Sequence, residues 1–587
     1  MIADVVFDLP LQRPFSYLIP PGMMLQRGQR VAAPLQGRAR VGVVVGLREG
    51  EATGLKSVQR PVEPVPVLSS ATLELGRWAA EESLSSWGST LLSLVPPLPR
   101  AGAAAPVAAP AEPRGGPRIA PELWIDAARE DRLVERLRGA TGSALVIAPD
   151  REGAARWSAR LDAVRLDSGA DPAERRAAWF AASCGRARIA VGTRSALLVP
   201  LPPPTTLVLL DEHDAAHKPP GPPRLHSREL LRERARIEGS RLVLLSATPS
   251  VESWWRADNQ ELVRPAADPG PWPEISTADA RGVLRNHPLT LPLTRAIEDT
   301  TRRGLKVGLV VQRAAVGLGC DECGALFRCP ECGVALAVSR GKKTLSCRLC
   351  ARAEPLPARC PGCGGHRFSP FGWDAQRVEA SVRKRFPRLR VSLEDPGAQV
   401  LIGTPSALRA LPADSVGCIG FIALDSLLRV PDFRAGERVF ELLWAAAETV
   451  GARGRVIVQT LHPEHYAIQA AKERDRPSFY RHELKFRAEL GYPPFRRLCA
   501  VSVTGRSEAS SRGLIAECTA ALHGVTGLRV YPAAPLGAPG GKSNRWRFLI
   551  KGPSELPRLI AAPLAPFLER RRRSGGVVEV EMDPVSF

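Results

Sequence analysis

The chain has 587 residues, 44% of them apolar and 24% charged, which is the composition of a globular protein rather than a disordered one. At about 150 residues per domain this length suggests roughly four domains with cores of their own, and it excludes a small secreted scaffold held by disulfides. Lys and Arg number 81 against 60 Asp and Glu, and the net charge of +21 points to a polyanionic partner.

Nucleic acid is the expected polyanion, because no basic amphipathic helix or lipidation signal supports a membrane surface. No run of 18 apolar residues occurs, and the start MIADVVFDLPLQRPF lacks the basic and apolar regions of a signal peptide. A cytoplasmic, nucleoid-associated protein with reduced thiols is therefore expected.

Residues 1–100 open with short β-type runs at Val5–Phe7, Phe15–Ile19 and Val41–Val45, followed by a helical stretch around Thr72–Leu94. Residues 101–117 are almost all Ala, Pro and Gly and read as a linker. From 118 to 262 apolar strands (Ala144–Ala148, Ile189–Gly192, Leu207–Leu210, Leu242–Leu245) alternate with charged helical stretches, the signature of a parallel sheet in an α/β domain. The pattern resumes over 263–319 and 367–465, around a cysteine-rich insert at 320–366. Residues 466–587 begin with a charged helix and end in β-type segments.

Eight of the twelve cysteines form four C-x-x-C pairs: Cys320/Cys323, Cys329/Cys332, Cys347/Cys350 and Cys360/Cys363. Two such knuckles complete a tetrahedral thiolate shell, which favours zinc, with an iron–sulfur cluster as the competing group. Two sites are implied, and spacing alone does not say which pairs share an ion. Gly324, Gly333 and Gly364 follow three of the knuckles and suit the tight turn beneath a metal.

Leu207–Asp214 reads LVLLDEHD, a buried strand ending in acid like the element that holds Mg²⁺ beside a phosphate. A later strand runs into Ser246-Ala247-Thr248-Pro249, like the element that couples nucleotide state to movement in helicases. A phosphate-binding loop needs G-x-x-x-x-G-K-[S/T] between strand and helix. Gly139–Ser143 starts like one but continues with Ala144-Leu145. Gly540-Gly541-Lys542-Ser543 has Leu536 at the first glycine position and runs towards a β-type segment.

The chain resembles the PriA family of bacterial replication restart proteins. The resemblance is carried by RPFSYLIPPGM (13–23), IAVGTRSALLVPLP (189–202), DEHDAAHK (211–218), LLSATPSVES (244–253), the four cysteine pairs, VPDFRAGERVFELL (430–443), LGYPPF (490–495) and DPVSF (583–587). It implies a multidomain α/β protein: a β-rich N-terminal DNA-binding domain, two degenerate RecA-like helicase lobes, a zinc-ribbon insert in the second lobe and an α+β C-terminal domain. It further implies that the N-terminal domain holds the 3′ end of a DNA strand with Phe15, Tyr17 and Lys56, although Ser16 stands where the family has Asp. Cys320, Cys323, Cys360 and Cys363 would hold one zinc ion, and Cys329, Cys332, Cys347 and Cys350 the other. The C-terminal domain would meet branched DNA and the tail of single-strand-binding protein.

The departures from the family concern its fuel site. Only the 101–117 linker stands where a winged-helix module is usual. The acidic box Asp211-Glu212-His213 puts Leu210 at its first acidic position. Thr404–Leu411 replaces an expected second-lobe segment, and Ala446–Arg455 lacks the Gln-x-x-Gly-Arg-x-Gly-Arg that supplies arginine fingers. The box is therefore expected to be vestigial, with two zinc ions as cofactors and no turnover of ATP. The expected function is structure-selective binding of branched and single-stranded DNA at stalled forks, recruiting primosome proteins and the replicative helicase or its loader. The rival readings are an active ATP-dependent 3′–5′ helicase with an unconventional nucleotide site, and a zinc-ribbon protein–protein adaptor.

Overall fold

The computed structural model describes all residues except 51–52, 100–107, 113–118, 267–269, 281–286, 312–317, 324, 332–334, 339–343, 348–351, 371–372, 374, 406–410, 412–414, 429, 431, 537–543, 570–575 and 587. The chain forms two compact units: residues 1–268, 497–528 and 551–584 make the first, and 269–496, 529–550 and 585–587 the second. Among the described residues no helix is long and apolar enough to cross a membrane.

The first unit opens with a five-stranded antiparallel sheet in the order Phe15–Leu18, Ile2–Phe7, Arg38–Arg48, Arg30–Leu35, Arg60–Pro61. Alternate residues of these strands (Ala3, Val5, Phe7, Tyr17, Val31, Ala33) build its core. The helical stretch expected near 72–94 resolves into two helices, Ser70–Ser83 and Trp87–Leu94. Leu84 turns left-handed at φ 51° and ends the first, and Ser86 caps the second by accepting from the Ser89 N–H. Gly88 in that second helix lies so close to the sheet that a Cβ there would sit 1.8 Å from the Phe7 carbonyl oxygen. Only glycine allows this helix to seat on the strand.

The same unit contains a six-stranded parallel sheet in the order Glu122–Trp124, Arg241–Leu245, Thr205–Leu209, Ser143–Ile147, Ile189–Gly192, Val164–Arg165. The strands expected from apolar runs are all present, and Glu122–Trp124 is an additional one. Strands Arg497–Gly505 and Gly576–Met582 pair antiparallel and complete the unit with helices Glu508–Ala521 and Leu556–Leu568. Lys218 donates from a nearly buried position to the carbonyl oxygens of Met582 and Asp583. Arg497 bridges the carboxylates of Asp583 and Glu82. The DEHDAAHK and DPVSF segments therefore meet in one polar joint.

The second unit has its own six-stranded parallel sheet, in the order Glu274–Asp279, Arg455–Thr460, Val416–Ile422, Lys306–Val311, Val400–Gly403, Val391–Ser392. The cysteine-rich insert leaves this layer after Lys306–Val311 and rejoins it at helix Ala375–Arg385. A buried ionic chain ties the helices behind it. Arg487, with no exposed surface, bonds Glu437 at 2.7 Å, Glu483 at 3.1 Å and the Pro493 carbonyl at 3.1 Å. Tyr466 donates to Glu483 at 2.6 Å. Burial raises the Glu483 carboxyl against the pull of Arg487, and burial with the Glu483 charge pushes the Tyr466 phenol well up. Phe433 stacks on Tyr492 at 4.2 Å, so the VPDFRAGERVFELL and LGYPPF segments are joined by both charge and rings.

Replacing Arg487 by Met leaves Glu483 with Tyr466 as its remaining partner in that chain. Removing one partner of a buried ion pair costs about 3–5 kcal/mol. Amide hydrogen exchange in helices Ala435–Val450 and Arg476–Leu490 should therefore accelerate by roughly a hundredfold or more. Unchanged protection would show that the chain is dispensable.

Candidate functional site

Parallel sheets bind ligands at the carboxyl ends of their strands, where helix N-termini also converge. In the first unit's six-stranded parallel sheet, three neighbouring strands, Glu122–Trp124, Arg241–Leu245 and Thr205–Leu209, carry the candidate segments at that edge. Strand Glu122–Trp124, a short turn and helix Arg129–Gly139 have the strand–turn–helix order of a phosphate loop. The turn is Ile125-Asp126-Ala127-Ala128, with neither glycine nor lysine. Asp126 is nearly buried and its carboxylate bonds Arg132 at 2.5 Å. An anion of the protein itself thus stands at a helix N-terminus, where it opposes a phosphate electrostatically.

Gly139–Ser143, which starts like such a loop in the sequence and then departs from it, lies elsewhere in the structure. That segment precedes strand Ser143–Ile147, at the opposite edge of the sheet. A Cβ on Gly142 would meet the Pro204 carbonyl oxygen at 2.2 Å, so this glycine serves packing. Strand Glu122–Trp124, three residues long, gives no periodic signal, so the turn after it leaves no trace in the sequence pattern. Gly540–Ser543 lies outside the described residues, as do 406–410 of the second-lobe segment and the basic run 570–573.

The acidic box follows strand Thr205–Leu209. Leu210 is buried in the apolar core. Asp211 sits in the left-handed region at φ 46°, and its side chain makes no hydrogen bond or ion pair among the described residues. Glu212 is fully buried and saturated. It takes Arg228 at 2.8 Å, the Ser250 N–H at 2.6 Å, the Ser250 hydroxyl at 3.1 Å and the Ser253 hydroxyl at 3.0 Å. Its carboxylate thereby anchors the N-terminus of helix Val251–Asp258. His213 Nδ1 lies 2.7 Å from the Ser246 hydroxyl, so the box and the Ser-Ala-Thr element remain connected. His217 Nε2 pairs with the Leu210 carbonyl at 2.7 Å, and burial lowers its pKa. Both histidines are satisfied within the protein.

In the second unit, the 446–450 part of the segment compared with arginine fingers belongs to helix Ala435–Val450, with Ala446, Ala447 and Val450 buried. Arg453 is exposed, and Arg455 begins strand Arg455–Thr460.

In the N-terminal sheet, Phe15 and Tyr17 share the core face of their strand. Tyr17 is 3% exposed, donates to the Pro34 carbonyl at 3.1 Å and packs edge-on against Phe7. Its ring is closed off, and Phe15, half-buried against the same core, is the more accessible of the two. Lys56 is exposed beside the end of that strand, where its carbonyl accepts from the Leu18 N–H at 2.9 Å. On the opposite face Ser16 donates to Asp4, its cross-strand partner, at 2.7 Å, and Arg48 bonds both residues. The carboxylate that the family carries at position 16 is thus present from the neighbouring strand. Sequence alone could not give this, because the pairing register decides it.

The sulfurs of Cys320, Cys323, Cys360 and Cys363 all lie within 4.8 Å of one another. Cys320–Cys363 and Cys323–Cys360 are each 3.6 Å apart, close to the roughly 3.8 Å edge of a tetrahedron with metal–sulfur bonds of about 2.3 Å. The Glu322 and Gly362 N–H groups point at the Cys320 and Cys360 sulfurs at 3.4 Å. Gly364 takes φ 74° beneath the second knuckle. Desolvation pushes the Cys360 thiol up, but the N–H groups of Gly362 and Cys363 outweigh it and hold the thiol at about 7. These four residues fit a metal ion with soft tetrahedral preference, consistent with zinc. Of the other four, Cys329 and Cys347 are buried, while Cys332 and Cys350 lie outside the described residues, as do Gly324 and Gly333.

Two protein families match the ends of the chain: the 3′DNA-binding domain (3′BD) of PriA over residues 4–96, and the Primosomal protein N C-terminal domain over 488–585. Replication restart protein PriA of Bacillus subtilis is 28% identical over 71% of this chain and 56% of its own length. Its namesake from Treponema pallidum is 26% identical over 99% of both chains. The chain thus spans little more than half the length of the first of these relatives and nearly all of the second. Among solved structures, RecG bound to a three-way DNA junction is similar at 10% identity and a TM-score of 0.34, over 71% of this chain and 50% of that one.

Because Glu212 neutralises the buried Arg228, Glu212→Ala should lower the stability of its sheet by about 3–5 kcal/mol. Limited proteolysis would read this as early cleavage within 205–258. A variant as resistant as the parent would mean that Glu212 is free for chemistry.

Proposed function

The chain is a homologue of the PriA replication restart proteins and carries both of their terminal domains, and on that premise we propose that it recognises branched DNA at stalled forks without turning over ATP. The observation that carries this reading is the Asp126–Arg132 ion pair in the turn where a nucleotide's phosphates would otherwise lie. The burial of Leu210 and the saturation of Glu212 support it, since neither side chain is free for Mg²⁺. The His213–Ser246 bond is the feature that favours a working motor, and it gives that rival its specific test.

Without a fuel site the protein acts by binding. Phosphate contacts from Lys and Arg supply affinity with little sequence preference. Phe15 at the start of one strand and Lys56 beside its end, with the Asp4–Ser16–Arg48 cluster on its other face, would receive a 3′ terminus in the N-terminal domain. A stacked terminal base is worth about 1–3 kcal/mol. The proposed division is an N-terminal domain at 1–100, a linker at 101–117, a first lobe at 118–262, a second lobe at 263–319 and 367–465, a metal insert at 320–366 and a C-terminal domain at 466–587. The insert would hold two zinc ions, one on Cys320, Cys323, Cys360 and Cys363 and one on Cys329, Cys332, Cys347 and Cys350. Both ions are structural in this reading and fix the fold of the insert. Primosome proteins, single-strand-binding protein and the replicative helicase or its loader are the proposed partners, carried over from the family.

Three measurements test this. DNA-stimulated ATP hydrolysis should stay at background; turnover that Asp211→Asn abolishes would establish the helicase instead. In a salt series, forked DNA should bind more tightly than duplex or single strands, whereas equal weak binding to all three would favour the protein adaptor. Elemental analysis should give about two zinc ions per chain, and a single ion or visible iron absorbance would contradict the metal assignment.

A further inference from the structure

The second unit's parallel sheet has an edge that none of the motifs above uses, the one at the amino ends of its strands. Lys306 and Arg455 are the first residues of their strands, and Arg390 directly precedes another. Helices Leu291–Arg302 and Ala375–Arg385 both end here, the latter on Arg383-Lys384-Arg385. Over residues 274, 298–306, 383–395 and 451–455 there are ten Lys and Arg against five Asp and Glu.

Cations at helix ends are ordinary, because they meet the negative end of the helix dipole. That accounts for 302–303 and 383–385, while Arg388 and Arg453 lie in the connections three residues past helices Ala375–Arg385 and Ala435–Val450, each leading into a strand. Arg383–Glu379 at 2.8 Å and Arg302–Asp299 at 3.1 Å are close pairs within one helix, Arg385–Glu298 at 3.8 Å and Arg455–Glu274 at 3.7 Å are loose, and all four arginines are exposed. Arg303, Lys384, Arg388 and Arg453 make no side-chain hydrogen bond or ion pair among the described residues. Lys306 and Arg390 donate to the Pro396 and Gly397 carbonyls, so six of the ten cations have internal partners and these four are held outward without one among the described residues.

The array has a definite length. Strands Arg455–Thr460 and Val391–Ser392 are four positions apart in the sheet order, which at about 4.8 Å per position spreads the cations over roughly 19 Å. That is about half a turn of B-DNA. No large exposed apolar side chain lies at this edge among the described residues, and Phe386, directly after helix Ala375–Arg385, is nearly buried. A single strand would want a stacking platform, which is missing from the described residues there. A duplex backbone needs only the charge.

We propose that this edge is a docking surface for the phosphate backbone of duplex DNA, gripping an arm of the branched substrate without reading its sequence. The proposal rests on the DNA-binding reading above and adds a second contact region to it. It is tested in the full-length protein with Lys384→Gln/Arg388→Gln/Arg453→Gln, three exposed positions whose loss should leave the thermal unfolding profile unchanged. Fluorescence anisotropy on a 30-base-pair duplex should show binding weakened by roughly tenfold or more. The slope of log affinity against log salt should shrink by about 2–3, near 0.9 for each phosphate that is no longer neutralised. A 3′-ended single-stranded oligonucleotide should bind as before. Arg388→Lys/Arg453→Lys, which keeps the charge, should keep the slope. A wild-type slope in the triple variant overturns the proposal, as does equal weakening on duplex and single strand. If the unaltered protein binds no DNA of any form, the proposed function itself falls.

Discussion

Parallel sheets deliver helix N-termini and strand ends to one edge, and the N–H groups gathered there need acceptors from side chains, water or a ligand, with anions favoured by the helix dipole. In a nucleotide-driven machine the phosphates do this. Here Glu212 does it for helix Val251–Asp258, and Asp126 stands at the start of helix Arg129–Gly139. Each carboxylate is closed by an arginine, Arg228 and Arg132 respectively. At these two positions the carboxylates hold the edge together from within the chain.

The segments most characteristic of the family divide accordingly. DEHDAAHK sends Lys218 into the polar joint with the DPVSF end, and VPDFRAGERVFELL meets LGYPPF through Arg487 and the Phe433–Tyr492 stack. These joints carry buried charge, which is expensive to leave half-paired.

What could be read from the sequence follows from how local each signal is. Four C-x-x-C pairs announce metal sites because the spacing is itself the geometry, and the outer four do converge. The inner strands of both parallel sheets were legible as apolar runs, whereas Val164–Arg165, Glu274–Asp279 and Val391–Ser392 at their margins were not. Glu122–Trp124 was also missed, because three residues carry no period, and with it the strand–turn–helix that follows stayed hidden. Phe15 and Tyr17 could be assigned to one face but not to the buried one, since alternation does not say which side is the core. The Asp4–Ser16 pair needs the strand register, and the saturation of Glu212 depends on Ser250 and Ser253, some forty residues away in sequence.

The charge shows the same limit most clearly. A net +21 names a polyanion but gives no surface. Arg303, Lys384, Arg388 and Arg453 are scattered over 150 residues, and each alone is an ordinary solvated side chain. Parallel topology makes them neighbours, because each lies where a helix or loop hands the chain back to the amino end of a strand. The opposite edge of such a sheet is where family resemblance directs attention, as motifs gather there. A binding surface made only of charge needs no motif, since any Lys or Arg serves a phosphate, and it accumulates where the fold leaves room. Its trace in a sequence is composition, and its location becomes visible only once the strand order is known.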